Sequence, residues 1–184
     1  MVGVSGASGA PIAVRVLEAL RAADVPVSLV VSKGARAVLK EEAGLAPSDL
    51  GRLAARTYSD DDLGAPIASG SYPTRAMVIV PCSANTAAKV ALGLGDSLLT
   101  RAAQVHLKER RPLVVVPRET PLSSVLLRHL ATLGDLGAVV LVASPAYYLH
   151  PKTIDDVTNY LAGKVLDHLG LPHTLYRGWK VGAV

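Results

Sequence analysis

Four stretches of this 184-residue chain combine small, polar and ionisable residues in ways that suit an anionic ligand. Gly6-Ala7-Ser8-Gly9 follows the apolar run Val2–Ser5 and precedes Pro11, with Ile12, Val16, Leu17 and Leu20 at helical spacing. Small residues at such a strand-to-helix junction let backbone N–H groups and a helix N-terminus face an anion; a tight turn without a ligand explains them equally well. Gly3, Gly6 and Gly9 recur every third residue, which is not the dinucleotide pattern, and the next apolar run ends in Ser32-Lys33, not in the acid that holds an NAD ribose. A mononucleotide therefore fits better than a dinucleotide, with NADP open through Lys33 or Arg36. Pro81-Cys82-Ser83-Ala84-Asn85-Thr86 offers hydroxyls, an amide and N–H groups to a phosphate or a heterocycle edge, or else plain helix capping by Ser83 or Asn85. Arg118-Glu119 lies between Pro117 and Pro121 and pairs a cation with an acid, able to bind an anion and move a proton or to form a structural ion pair. Tyr147-Tyr148 places two phenols in a Pro-flanked loop of a chain with 4% aromatic residues and no Phe, which points to binding.

Single residues add to this. Arg101 and Lys108 stand seven apart in one predicted helix, on one face and about 10 Å apart along the axis. Lys164 borders the apolar stripe of the last predicted helix, where a lysine either snorkels outward or is held for an anionic ligand. Cys82 is the only cysteine, which excludes an intrachain disulfide and a Cys-only metal cluster. With no base near it in sequence it reads as an apolar filler, not a nucleophile. The five His are scattered without metal-ligand spacing, so no metal site is expected.

The elements that position these residues follow from composition and periodicity. Half the residues are apolar and 18% are charged, which excludes disorder. A core of Val, Leu, Ile and Ala without Phe suits buried parallel strands covered by helices. Strands are expected at Val2–Ser5, Val27–Val31, Met77–Val80, Leu113–Val116 and Ala138–Val142. Helices are expected from Pro11, after Ser32 to about Glu42, over Asn85–Leu92, Ser97–Arg110 and Pro121–Leu133, and from Thr153. Thr120 is the expected cap before Pro121, and Thr153 to Asp156 has the form of a capping box. Residues 44–75 read as loop with short elements. The result is one α/β domain with a doubly wound, mostly parallel sheet, whose ligand belongs beyond the carboxyl ends of the strands. A net charge of +4 and a pI near 9.3 suit an anionic ligand without the basic tract that nucleic acid demands. The longest uncharged stretch, Leu136–Leu149, is too short to span a membrane, so a cytoplasmic protein is expected.

Together these residues resemble the UbiX-type flavin prenyltransferase family along almost the whole chain. The matching stretches are VGVSGASGA, VSKGAR, IASGS, MVIVPCSANT, GDSLLTRAAQVHLKERRPLVVVPRETPLS, PAYYLHPKTIDDV and GKVLDHLG. PRETPLS and LTRAA with LKERRPLV are specific, whereas SGASG alone is weak. The resemblance implies a single three-layer αβα domain over residues 1–184, Rossmann-like or flavodoxin-like, whose tail from about residue 171 packs on a neighbouring subunit of a homododecamer. It implies FMN as cofactor, dimethylallyl phosphate as prenyl donor and no metal. Reduced FMN would be prenylated at N5 and closed at C6, and the product would serve a UbiD-type decarboxylase. Gly6, Ala7, Ser8, Ser32, Ser83, Ala84, Asn85, Thr86 and Arg101 would hold FMN. Tyr148 and Lys164 would hold the donor phosphate, with Lys108 and Arg118 adding charge. Glu119 would aid phosphate departure and proton movement, supported by Glu42 and Ser8, and Trp179 would close the site. Lys164 stands where many members carry Arg, and Ser71-Tyr72-Pro73-Thr74 replaces the usual Phe and basic residue after SGS. PCSANTAAK also resembles the PASANT motif of flavin-dependent Cys decarboxylases. Those enzymes rely on a His in the first half of the chain, and the first here is His106. A non-catalytic FMN-binding protein is the reading from another class.

Overall fold

Alternating strands and helices with short connections favour parallel pairing, and the sheet is parallel throughout. The computed structural model describes residues 1–178. Its strands are β1 (Val2–Val4), β2 (Ser28–Val31), β3 (Arg56–Ser59), β4 (Met77–Cys82), β5 (Leu113–Pro117) and β6 (Val139–Val140). They form one six-stranded sheet in the order β3-β2-β1-β4-β5-β6, with every neighbouring pair parallel. The order reverses between β1 and β4, so a crevice opens at their carboxyl ends.

Strand periodicity builds the layers. Val78, Val80, Val114 and Val116 face one core, packed by α1 (Ala10–Ala22), α2 (Lys33–Ala43), α3 (Pro47–Gly51) and α7 (Ile154–Leu169). Met77, Ile79, Leu113 and Val115 face the other, packed by α4 (Ala84–Ala91), α5 (Leu98–Lys108) and α6 (Ser124–Asp135). Alternate residues thus serve opposite cores, as the pleat requires.

Two local expectations are corrected, and the short elements expected within residues 44–75 are identified. Residues 44–75 contain α3 and the edge strand β3. The β3 residues are mostly exposed, so its pairing with β2 lacks the apolar signature of a buried strand. Helix α6 starts at Ser124 and not at Pro121, because Ser123 takes the cap: its Oγ accepts from Leu126 N at 3.1 Å. The last strand, expected over Ala138–Val142, pairs only through Val139 and Val140. The capping box of α7 forms: Thr153 Oγ1 accepts from Asp156 N at 3.1 Å, and Asp156 Oδ2 accepts from Thr153 N at 2.9 Å. Beyond α7 the chain turns at Gly170 (φ 67°) and comes back along the helix, laying the Tyr176 ring over Gly163. Residues 171–178 therefore lie on the chain's own α7. No helix among the described residues is long and apolar enough to cross a membrane.

Candidate active site

The crevice is tied by Ser5, a residue that composition did not single out. Its buried Oγ donates to Pro81 O at 3.0 Å and accepts from Ser83 N at 2.7 Å, locking the tips of β1 and β4 together. Around this knot stand the loops expected to cradle an anion. Gly6 is exposed and backs onto the start of α2, where a Cβ would meet Gly34 C at 2.8 Å, so no side chain fits. Gly9 takes φ +116°, open to glycine at little cost. Ala7 is buried, and Ser8 is half-buried beside it. Ser32 caps α2 by accepting from Ala35 N at 3.3 Å, and Ser83 caps α4 by accepting from Thr86 N at 3.2 Å. The capping alternative for Ser83 is thus observed. Ala84 is half-buried, Asn85 is exposed and Thr86 is buried. Arg101 enters from the first turn of α5, exposed, with Nε donating to Ala68 O at 3.4 Å.

An ionised cluster borders this cradle. Gly9 cannot cap α1 with a side chain, and Glu42 does so from α2: its Oε2 accepts from Gly9 N at 2.8 Å and Ala10 N at 2.9 Å. Partial burial pushes the Glu42 carboxyl up, but hydrogen bonds from Ser8, Gly9 and Ala10 and the charge of Arg118 outweigh it and hold the group below its ordinary value. Glu42 was expected as a supporting acid; the structure makes it an ionised anchor for the Ser8 loop. Arg118 follows β5, and its buried Nε has no hydrogen-bond partner among the described residues. A buried donor left unmatched is costly, which marks this guanidinium as a group awaiting an acceptor. Glu119 is exposed beside it, its Oε1 accepting only from the neighbouring Thr120 N at 3.2 Å.

A trough of about 500 Å³ lies past the ends of β5 and β6. Leu141, Val142, Pro145 and Leu161 supply apolar wall, and Ser144, Tyr147, Tyr148, Tyr160 and Lys164 supply its polar groups. The Tyr160 and Tyr148 hydroxyls are hydrogen-bonded to each other. Lys164 Nζ donates to Asp167 Oδ2 at 3.0 Å, and this bond is the main reason its ammonium is held above the ordinary lysine value. An apolar trough with a fixed cation at its side suits a short hydrocarbon carrying an anionic group.

A model of the Flavoprotein family matches residues 1–166. The flavin prenyltransferase UbiX of Deinococcus radiodurans is 48% identical over 180 residues, covering 98% of this chain and 92% of the relative. The chain belongs to the UbiX flavin prenyltransferase family. Among solved structures, AnUbiX (PadA1) in complex with FMN and dimethylallyl pyrophosphate matches with a TM-score of 0.94 and 40% identity, over 97% of this chain and 95% of that one. A dodecameric FMN-dependent UbiX-like decarboxylase from Escherichia coli O157:H7 matches with a TM-score of 0.94 and 41% identity, over 97% of each chain.

Seen as a UbiX-family chain, the molecule gathers most of the expected residues at one end and leaves two apart. Lys108 sits in the last turn of α5, exposed and ion-paired with Glu109 at 2.8 Å, toward the end of the sheet where the strands begin. Within one chain it does not meet Lys164 or Arg118: α5 carries it down from Arg101 by a helix length of about 10 Å. Trp179 lies outside the described residues. Burial pushes the Cys82 thiol up to about 12, which leaves it an inert filler. His106, whose late position argued against the Cys decarboxylases, is fully buried between Thr74 and the Ala102 carbonyl. Tyr160, Asp167 and Tyr176 surround Lys164 and were missed in the sequence. The available signal was the spacing of 160, 164 and 167, which puts all three on one helix face.

Proposed function

We propose that this flavin prenyltransferase moves the dimethylallyl group of dimethylallyl phosphate onto reduced FMN and that the prenylated flavin serves a UbiD-type decarboxylase. The observation that carries this reading is the trough, with hydrocarbon walls, three phenols and the Lys164 ammonium beside the β5 tip that bears Arg118 and Glu119. The crevice fits a flavin mononucleotide, since the buried Arg118 Nε lacks an acceptor among the described residues. Gly6, Ala7, Ser8, Ser32, Ser83 to Thr86 and Arg101 would hold FMN. When bound in its reduced form, FMN supplies the nucleophilic nitrogen N5.

The chain's own residues supply the rest. Lys164, Tyr148 and Arg118 bind the donor phosphate and stabilise the negative charge that grows as the allylic C–O bond breaks. Their fixed charge makes a metal unnecessary for a monophosphate leaving group. Glu119 donates a proton to the departing phosphate and accepts one from the flavin ring. Leu141, Val142, Pro145 and Leu161 keep water from the allylic carbon. We assign the enzyme to the cytoplasm and to a homododecamer in which Trp179 and the end of the tail close a neighbouring site. Light scattering checks the assembly, and a mass near that of one chain overturns it.

The reaction is tested by anaerobic incubation with reduced FMN and either dimethylallyl phosphate or the pyrophosphate, followed by mass analysis of the released flavin. A flavin heavier by one dimethylallyl unit with the monophosphate is expected. Product only with the pyrophosphate overturns the donor assignment, and unmodified bound flavin with both favours the non-catalytic FMN-binding reading.

A further inference from the structure

Lys164 is held by two acceptors, Asp167 from its own helix α7 and Tyr176 from the return segment that follows. Asp167, one helical turn from Lys164, accepts from three side chains: Lys164 Nζ at 3.0 Å and Tyr176 Oη at 2.6 Å on Oδ2, and His173 Nε2 at 2.9 Å on Oδ1. The Tyr176 hydroxyl is also hydrogen-bonded to the Lys164 ammonium. It therefore accepts from Lys164 and donates to Asp167, closing a three-membered ring of contacts. An ammonium has three N–H donors, so two are engaged by this arrangement and one is left for the trough that Lys164 lines. The ring of Tyr176 is fixed independently of its hydroxyl. It stands edge-on to Tyr160 with centroids 5.1 Å apart, and it covers Gly163, where a Cβ would come within 2.5 Å of Tyr176 Cδ1. Glycine inside a helix lowers its stability, and here it makes room for this ring. The Flavoprotein family match ends at residue 166, before Tyr176.

We propose that Tyr176 is a positioning residue that aims the Lys164 ammonium at the donor phosphate. The proposal rests on the reading that Lys164 receives that phosphate. Lysine carries a point charge on four rotatable bonds, without the planar fork by which arginine fixes its own direction. A chain with Lys at this position needs its direction supplied from outside, and the Tyr176 hydroxyl supplies it. The same hydroxyl moderates Asp167: by donating to Oδ2 it satisfies part of a carboxylate that would otherwise compete with phosphate for Lys164. Both effects act in the same direction. Removing the hydroxyl frees the ammonium to wander and strengthens its competitor, and both weaken donor binding.

The test uses full-length, FMN-loaded protein and calorimetric titration with dimethylallyl phosphate. Tyr176→Phe keeps the ring over Gly163 and is expected to weaken donor binding about tenfold, the loss of roughly one charge-assisted hydrogen bond, with FMN affinity unchanged. Lys164→Met is expected to weaken it further, and adding Tyr176→Phe to Lys164→Met is expected to change nothing more. That non-additivity separates a residue acting through Lys164 from one that merely stabilises the tail. Unchanged donor affinity in Tyr176→Phe, or a tenfold loss that persists in the Lys164→Met background, overturns the proposal. If the unmodified protein turns over the donor but Lys164→Met binds it equally well, the phosphate role of Lys164 fails and takes the proposal with it. Failure of the unmodified protein to bind dimethylallyl phosphate at all overturns the functional reading beneath both.

Discussion

The two ends of the sheet treat ionisable groups in opposite ways. At the carboxyl ends charges are kept on. Partial burial pushes Asp167 up, but hydrogen bonds from Tyr176, Lys164 and His173 prevail and bring it down to about 2. Glu42 is held below and Lys164 above their ordinary values. At the amino ends two buried groups are instead pushed toward their neutral forms. Burial pushes the Met1 amine down to about 6, its N–H donating to Ala76 O at 2.7 Å, and it pushes His106 down to about 4. A cavity of about 560 Å³, larger than the trough, lies at this second end, lined by Met1, Ser28, Arg56 and Ala76 among others. Its neighbours spend their polar groups on each other: Arg111 donates to Tyr72 O at 2.9 Å, to Thr74 Oγ1 at 3.0 Å and to Gly70 O at 2.5 Å. Cavity size alone therefore points to the wrong end. What distinguishes the carboxyl end is a buried donor, Arg118 Nε, that has no acceptor among the described residues.

This contrast predicts that changes at the carboxyl end alter chemistry and those at the amino end alter stability. The largest effect is expected for Glu119→Gln, which keeps size and hydrogen-bonding capacity but removes the ionisable proton assigned to the proposed reaction. Prenyl transfer should fall by about 10²- to 10⁴-fold, with FMN affinity and melting temperature unchanged. Undiminished turnover removes Glu119 from the mechanism. A smaller but broader effect is expected for Gly6→Ala. The added Cβ would sit 2.8 Å from the Gly34 carbonyl carbon, and backbone cannot rotate away as a side chain can. Forcing the β1–α1 loop off α2 should cost about 1–3 kcal/mol of stability and weaken FMN binding, measured by flavin fluorescence. Normal flavin affinity in this variant would place the cradle elsewhere.

The same contrast explains what the sequence reading reached. The β1, β4 and β5 loops were legible because each is local: an apolar run, small or hydroxyl residues, then a helix start. Ser32 and Ser83 are read the same way, as residues that begin helices. The trough was not legible from local pattern, because residues 141, 148, 160 and 164 come from separate segments that meet only when α7 packs beside β6. Lys164 came into view through its place beside the apolar stripe of the last helix, whereas Tyr176 lies in irregular chain with no periodicity to mark it. Gly163 was the one trace of it, since a glycine inside an apolar helix asks for a packing reason. Edge strand β3 escaped for the opposite cause: it is defined by backbone pairing with β2, and exposed Arg56, Thr57 and Ser59 carry no apolar signal.

The smallest predicted effect tests the amino end. His106 Nδ1 contacts the Ala102 carbonyl at 2.9 Å, so this nitrogen carries the proton, and Nε2 accepts from the Thr74 hydroxyl at 3.1 Å. A second proton would turn Nε2 into a donor, break the link to Thr74 and place a charge beside Arg111 and the Met1 amine in a fully buried site. Burial is the main reason the folded ring titrates near 4 when its ordinary value is 6.5. The unfolded chain therefore binds more protons than the folded one between these values. The contribution of His106 to stability is complete above pH 6.5, falls as the pH drops toward 4 and is lost below it, a change of at most about 3 kcal/mol. Denaturant titrations from pH 7.5 to 4.5 should show this slope, and His106→Gln should flatten it while leaving FMN and donor affinity at neutral pH unchanged. A slope that survives the substitution above pH 6 belongs to the buried Met1 amine, pushed down to about 6, and one that survives below pH 6 removes His106 as the acid-sensitive group. Altered donor affinity in the same variant joins the two ends through the 70–74 loop and α5 and ends their separation.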